Sequence, residues 1–371
     1  MRHIVFICNE LPPASSGGIG HFVAGMAQCL HIMGYKVTVI GMYYNKPYVE
    51  NYPFNVIRLS RTRIKHIGPF FDCIRLQYYL KKLHKVQPID VIEYPDYEGF
   101  GAYHFLNVPF VVRLHDSNFY TNGYFYGKRS LTLIMKWLQQ ALSIYRANIV
   151  VSVTDSVLKS VRKLVLIKKH SVIPNIVFDC YPVIKRQEFS TNRILLHVGT
   201  VSKLKGCDII LNSFLEIAHE FPDINLYFVG RIHYYELIEK VEKASMINRV
   251  VFLGERSRSE VNELLARASV CIFASERENM PLAWIEAMNM AKVLIVPNIP
   301  VATELVKNTI DGFIVNRTIK DYIDSLRYIF NLSSIDLATI GLKAKASVSE
   351  KYDMNSVVMK NIELWSAISK S

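Results

Sequence analysis

Short apolar runs alternate with helical patterns along this chain, and the alternation starts twice. His3–Ile7 reads as a strand, Pro12–Gly20 as a Pro/Ser/Gly-rich loop and His21–Met33 as a helix ended by Gly34-Tyr35. Lys36–Ile40 is the next strand, and strand-like runs recur at Val91–Glu93, Phe110–Leu114 and Ile149–Val153. Past the polar, irregular segment Pro182–Thr191, Arg193–Val198 reads as a fresh first strand. The loop Gly199–Gly206 and the helix Cys207–Phe221 follow it. Asn225–Val229, Val250–Leu253, Val270–Phe273 and Val293–Val296 continue the pattern. Such alternation argues for parallel sheets covered by helices on both faces. The expectation is an α/β chain of two Rossmann-like, doubly wound domains, residues 1–185 and 186–371, facing a central cleft.

With 371 residues, half of them hydrophobic and 20% charged, the chain can bury two substantial cores and is not of disordered composition. No stretch approaches the ~20 apolar residues of a membrane-spanning helix. The run Met1–Cys8 is too short for a signal-peptide core and reads as a buried first strand. The six cysteines (Cys8, Cys29, Cys73, Cys180, Cys207, Cys271) form no CxxC or Cys/His cluster, so reduced core cysteines of a cytosolic protein are expected, without zinc or disulfides. The net charge of +12 sits entirely in the first half: residues 1–190 carry 23 Lys/Arg against 11 Asp/Glu, and residues 191–371 carry 21 of each. A basic half beside a neutral one points to an anionic partner, whether a membrane face, a lipid phosphate or nucleic acid.

The most informative segment is Ser275–Met288. It follows a strand, and Pro281 stands at the start of the helix Leu282–Met290. Backbone N–H groups within residues 280–283 then stand at a strand's C-terminal end, a ready site for a diphosphate. Glu278 can accept hydrogen bonds from sugar hydroxyls, and Glu286 from both hydroxyls of a ribose. Here the chain resembles the family-4 retaining glycosyltransferases of GT-B architecture, whose hallmark is Glu-x7-Glu. A second pair at that spacing, Glu255 and Glu263, lacks the strand–loop–Pro context and reads as solvated surface.

The resemblance continues in Val198–Gly206, which looks like the loop that opens the donor domain. Lys205 is then implied to contact the diphosphate. Thr200 stands where the family commonly has Arg, and Arg231 or Lys203 is the candidate replacement. In Pro297–Glu304 only the final Glu304 matches the family's Pro-Glu loop. The implied donor contacts are Gly18, Thr200, Lys205, Arg231, Glu278, Asn279, Met280, Pro281, Leu282 and Glu286, with His115, Glu278 and Lys205 as catalytic residues. The likeness is strong over residues 193–315 and mostly architectural over residues 1–180. By the same analogy, the final helix (about residues 353–368) packs back onto the first domain.

On the acceptor side, Pro13–His21 is a glycine-rich loop opening a helix; Ser16 and Gly17 are the acceptor candidates there. A dinucleotide site is disfavoured, because Val23 replaces the third glycine and no acid ends the second strand. His115 follows the strand Phe110–Leu114, and the resemblance puts it against the transferred sugar; a satisfied loop histidine is the alternative. Tyr94 and Asp96 in Glu93–Glu98 are further acceptor candidates, against a reading as packed tyrosines in a polar loop. Arg61–Lys85 interleaves seven cations with Phe, Tyr, Ile and Leu, as does a helix lying on an anionic membrane. No nucleic-acid-binding module accompanies the charge.

The resemblance implies retention at the anomeric carbon with no essential metal, in keeping with the lack of an Asp-x-Asp triplet. A UDP- or GDP-sugar is the implied co-substrate and a glycan or lipid-linked molecule the acceptor. The setting is surface-polysaccharide or glycolipid assembly by a cytoplasmic protein peripheral to the membrane. A non-catalytic sugar-nucleotide-binding subunit and a sugar-nucleotide 2-epimerase on the same architecture stay open.

Overall fold

The computed structural model describes residues 3–12, 18–44, 51–64, 68–115, 131–176 and 193–369. The candidates Ser16 and Gly17, together with Lys65, Cys180 and the joining segment near residues 180–192, lie outside these. The chain divides into two compact units, Met1–Ile176 with Met354–Ser371, and Val177–Asp353.

The first unit is built on β1 (His3–Ile7), β2 (Lys36–Tyr43), β3 (Asn55–Ser60), β4 (Val91–Pro95), β5 (Phe110–Leu114), β6 (Ile149–Ser152) and β7 (His170–Val172). Their order is β3-β2-β1-β4-β5-β6-β7, and each described pairing is parallel. The inner strands β1, β4 and β5 are buried along their whole length, as expected where helices cover both sheet faces. The two edge strands, β3 and β7, were not evident from the sequence. They are half-exposed and mix polar with apolar residues, so neither forms an apolar run.

The helix Met354–Ile368 belongs to this first unit. Arg113, fully buried in β5, donates to both carboxylate oxygens of Glu93 in β4, at 2.6 and 3.2 Å. Arg113 also bonds Asn361, and the Trp365 indole N–H donates to Glu93 at 3.1 Å. Two helix residues thereby complete the hydrogen bonding of a buried ion pair, whose desolvation would otherwise cost several kcal/mol, on the order of 3–5 if one partner were lost.

The second unit carries β8 (Arg193–Val198), β9 (Ile224–Val229), β10 (Val250–Gly254), β11 (Val270–Ile272), β12 (Val293–Pro297) and β13 (Phe313–Val315), in the order β10-β9-β8-β11-β12-β13. Its core packs Leu195, Phe214, Phe228, Ile272, Ile295 and Tyr322 between sheet and helices. In both sheets the order reverses beside the first strand, between β1 and β4 and between β8 and β11. Loops leaving the C-terminal ends of neighbouring strands diverge at such a point and leave a crevice for a ligand.

Candidate functional site

In the second unit the loops after β8 and β11 meet at that reversal. Glu276 N–H donates to the Leu204 carbonyl at 2.8 Å, and Arg317 braces the pair by donating to the Ala274 carbonyl at 2.8 Å. Gly206 makes the approach possible. Its φ of 65° is left-handed, and a Cβ there would lie 2.1 Å from the Ala274 carbonyl oxygen.

This contact brings Lys205 and Glu278 together. The ammonium meets the Glu278 carboxylate at 2.5 Å, with the lysine side chain 35% and the glutamate 14% exposed. Beside them starts the helix Leu282–Asn289. Pro281 stands one position before its first residue, and no side chain caps it. The first-turn N–H groups of Leu282 and Ala283 therefore have no partner within the helix, which makes this end attractive to an anion. Asn279 is half-buried and Met280 buried where the chain enters the helix.

Glu286, in the next turn, is 6% exposed. Its Oε1 is paired at 2.7 Å with Arg258, the first residue of the helix Arg258–Arg267, a cation that the sequence reading did not single out. Thr200 is exposed in the loop after β8. Arg231 lies near it through the backbone, since Val201 N–H donates to the Arg231 carbonyl at 2.8 Å, but its guanidinium is paired with Glu255 at 2.9 Å. Glu255 and Glu263 are surface residues paired with Arg231 and Arg267. Lys203 lies over the Tyr234 ring, 4.9 Å from its centre.

Below the loop, His197 is fully buried. Its Nδ1–H donates to the Ile272 carbonyl at 3.0 Å, and burial pushes its pKa down to about 4. The ring is therefore a neutral support for the loop.

In the first unit, the strand reversal places Asn9, after β1, beside Glu98, after β4. The Asn9 amide donates to Glu98 Oε2 at 3.2 Å while its own Oδ1 accepts from Met42 N–H at 2.8 Å. Glu98 also pairs with the largely buried Arg61. Its φ of 61° lies in the left-handed region, an uncommon conformation for a residue with a side chain. The Gln139 amide donates to its carbonyl at 2.6 Å and helps hold it there. No sequence motif marks this cluster, because its members are brought together only by the sheet.

His115 is buried, edge-on to Phe22 with ring centres 5.2 Å apart, and its backbone N–H donates to Asp96 at 3.3 Å. Burial and the Arg113 charge hold its pKa well below the ordinary histidine value, so the ring is neutral. Asp96 is buried and caps the following turn by accepting from Tyr97 N–H at 3.0 Å.

Tyr94 corrects the expectation of an acceptor contact. It is fully buried, and its hydroxyl is bonded to Gln77 and His104, each at 3.0 Å, in a strand whose every residue is buried because both sheet faces are covered. Gly18 begins the helix Gly18–Ile32 and is exposed. Gly20 is a packing glycine, since a Cβ there would lie 1.9 Å from the Glu10 carbonyl oxygen.

The segment Arg61–Lys85 forms the helix Gly68–Val86 from residue 68 onward. Phe70, Phe71 and Tyr78 are 47%, 49% and 60% exposed; Lys82 lies over the Tyr78 ring, 4.7 Å from its centre, and Lys81 and Lys85 are exposed in the same last turns. Arg61 and Arg75 depart from a free basic face: they are paired with Glu98 and Asp72. Among the described residues no helix is long and apolar enough to cross a membrane, no disulfide forms, and no His/Cys/Asp/Glu cluster could hold a metal.

Residues 183–344 match the family Glycosyl transferases group 1, and residues 16–178 match Glycosyltransferase Family 4. The chain is 23% identical to an uncharacterized glycosyltransferase of Haemophilus influenzae, over 99% of this chain and 100% of that protein. Over 29% of its length it is 34% identical to the serotype-specific mannosyltransferase WbdA of Escherichia coli, covering 14% of that protein. Among solved structures, sucrose-phosphate synthase from Thermosynechococcus elongatus superposes with a TM-score of 0.84 at 18% identity, over 99% of each chain. HepE of Anabaena, solved with UDP and glucose, gives 0.77 at 17% identity, over 99% of this chain and 100% of that one.

Proposed function

The chain belongs to the family-4, group 1 glycosyltransferases of the GT-B fold, and on that premise we propose that it transfers a sugar from a UDP- or GDP-sugar to a glycan or lipid-linked acceptor, with retention at the anomeric carbon. The observation that carries the donor assignment is the meeting of Lys205 and Glu278 beside the uncapped start of the helix Leu282–Asn289, where the strand order reverses. A cation and a helix N-terminus suit a diphosphate; carboxylates suit sugar and ribose hydroxyls.

In this reading the bond from the anomeric carbon to the diphosphate breaks as an acceptor oxygen bonds to that carbon from the same face. The acceptor proton passes to a phosphate oxygen of the leaving group. Lys205 and the helix start stabilise the charge that develops there, a preorganised electrostatic role needing no protein nucleophile and no essential metal. Glu278 orients the transferred sugar and Glu286 the ribose. Asn279, Met280, Pro281 and Leu282 shape the diphosphate end, with Thr200 and Arg231 at its rim. In the first unit, neutral His115 and Asp96, with Gly18, Ser16 and Gly17, serve the acceptor. The first unit binds the acceptor and lies at the inner face of the cell membrane, through the exposed aromatic and lysine residues of the helix Gly68–Val86.

The test is calorimetric titration of UDP, GDP, ADP and their sugar conjugates into wild type and Glu286→Gln. A nucleotide bound by wild type and markedly weakened in the variant supports the donor site and identifies the base. Folded wild type that binds none of them refutes it.

A further inference from the structure

Glu286 is a carboxylate in a nearly closed environment, flanked in its helix by buried Trp284, Ile285, Ala287 and Met288. A lone charge there would be strongly disfavoured, and a buried carboxylate is stable when a cation and hydrogen bonds accompany it. Arg258 provides the cation. Its guanidinium meets Glu286 Oε1 at 2.7 Å while its side chain stays 56% exposed, so the pair has a buried end and an open end.

The position of Arg258 is electrostatically unfavourable by itself. It is the first residue of the helix Arg258–Arg267, where the helix dipole disfavours cations by a few tenths to about 1 kcal/mol. That first turn is fixed by a reciprocal capping box, in which Ser257 accepts from Glu260 N–H at 3.3 Å and Glu260 accepts from Ser257 N–H at 2.8 Å. One turn on, Asn262 and then Leu265 are buried, so this helix face packs inward and Arg258 stands at its exposed end, within reach of Glu286. A rigid turn thus holds a cation where the dipole opposes it, against the carboxylate assigned to the ribose.

We infer that Arg258 is a positioning residue for the donor: it fixes the Glu286 carboxylate through one oxygen so that the remaining acceptor sites receive the vicinal hydroxyls of the nucleotide's ribose. This rests on the donor reading above. A carboxylate has about four lone-pair sites, so one guanidinium contact leaves room for a diol. Holding the group in one orientation spares the ordering cost on binding. Arg258 therefore acts on the nucleoside end of the donor and not on the transfer step.

The experiment compares UDP and GDP with their 2′,3′-dideoxy counterparts in wild type, Arg258→Ala, Arg258→Lys and Glu286→Gln, by calorimetry, with thermal melting to confirm folding. Arg258→Ala is expected to weaken the nucleotide that wild type binds by about tenfold and to leave its dideoxy analogue unchanged. Arg258→Lys restores part of the loss. In turnover assays with the matching sugar nucleotide, Arg258→Ala raises the donor KM and leaves kcat near that of wild type. Unchanged binding of the parent nucleotide by folded Arg258→Ala overturns the inference, as does an equal loss for parent and dideoxy compounds. Failure of wild type to bind either nucleotide, or indifference to Glu286→Gln, overturns the donor reading itself and the inference with it.

Discussion

The ammonium of Lys205 and the carboxylate of Glu278 meet at 2.5 Å across the point where the second sheet reverses its strand order, though 73 residues separate them. The pair is partly exposed, and ion pairs of that kind contribute at most about 1 kcal/mol to folding. Lys205→Ala and Glu278→Gln should therefore melt within a few degrees of wild type. Transfer by Lys205→Ala should fall by about a hundredfold, the scale of losing one preorganised donor to the leaving group. Initial-rate measurement beside a melting curve checks both.

Gly206→Ala should be costly. The left-handed φ and the Ala274 carbonyl 2.1 Å from a Cβ together predict a loss of about 2–3 kcal/mol, read as a lower urea midpoint. The same variant should weaken nucleotide binding, because the shifted backbone separates Lys205 from Glu278.

Arg113→Leu leaves Glu93 buried without its counter-ion and should destabilise the first unit by about 3–5 kcal/mol. Joining it with Glu93→Leu should recover part of the loss, which a double-mutant cycle in urea measures directly. Simple loss of packing would make the two changes additive.

Burial pushes the pKa of His197 down to about 4, against about 6.5 in an unfolded chain. His3, His104 and His115 move in the same direction. Between those two values the unfolded chain binds more protons, so stability rises with pH and is lost as pH falls from about 6.5 toward 4. His197 alone contributes on the order of 3 kcal/mol to that loss. Urea midpoints from pH 4.5 to 7.5 should decline on the acid side, and more shallowly for His197→Asn at its own lower stability.

Replacing Phe70 and Phe71 together by Ser should cut co-flotation with vesicles containing anionic lipid and leave nucleotide affinity unchanged. Both rings are about half exposed in the first turn of the helix Gly68–Val86, whose last turns carry Lys81, Lys82 and Lys85. Flotation that persists at wild-type level would remove this helix from the membrane proposal.

The central strands were legible because a strand covered on both faces must be largely apolar: His3–Ile7, Phe110–Leu114 and Arg193–Val198 have the bounds read from the sequence. The edge strands Asn55–Ser60, His170–Val172 and Phe313–Val315 escaped, the first two because partly exposed strands carry polar residues, the last because three residues make no pattern. Residues near Glu278 and Lys205 could be named because each follows a strand end in a recognisable loop. The core place of Tyr94 was not legible, because Gln77 and His104, which bond its hydroxyl, come from other elements that only the fold brings to it. The Arg258–Glu286 and Asn9–Glu98–Arg61 contacts join residues whose proximity only the folded sheets create.

A ribosome makes this protein in an order that its contacts do not follow. The unit Val177–Asp353 is contiguous and can close on itself as soon as it has emerged. The first unit cannot, for Asn361 and Trp365 complete the bonding of Arg113 and Glu93, and both are synthesised later. Its sheet must wait with a charged pair unshielded and the seat of a helix empty, while the residues that fill it are still being joined. The unit begun first is finished last.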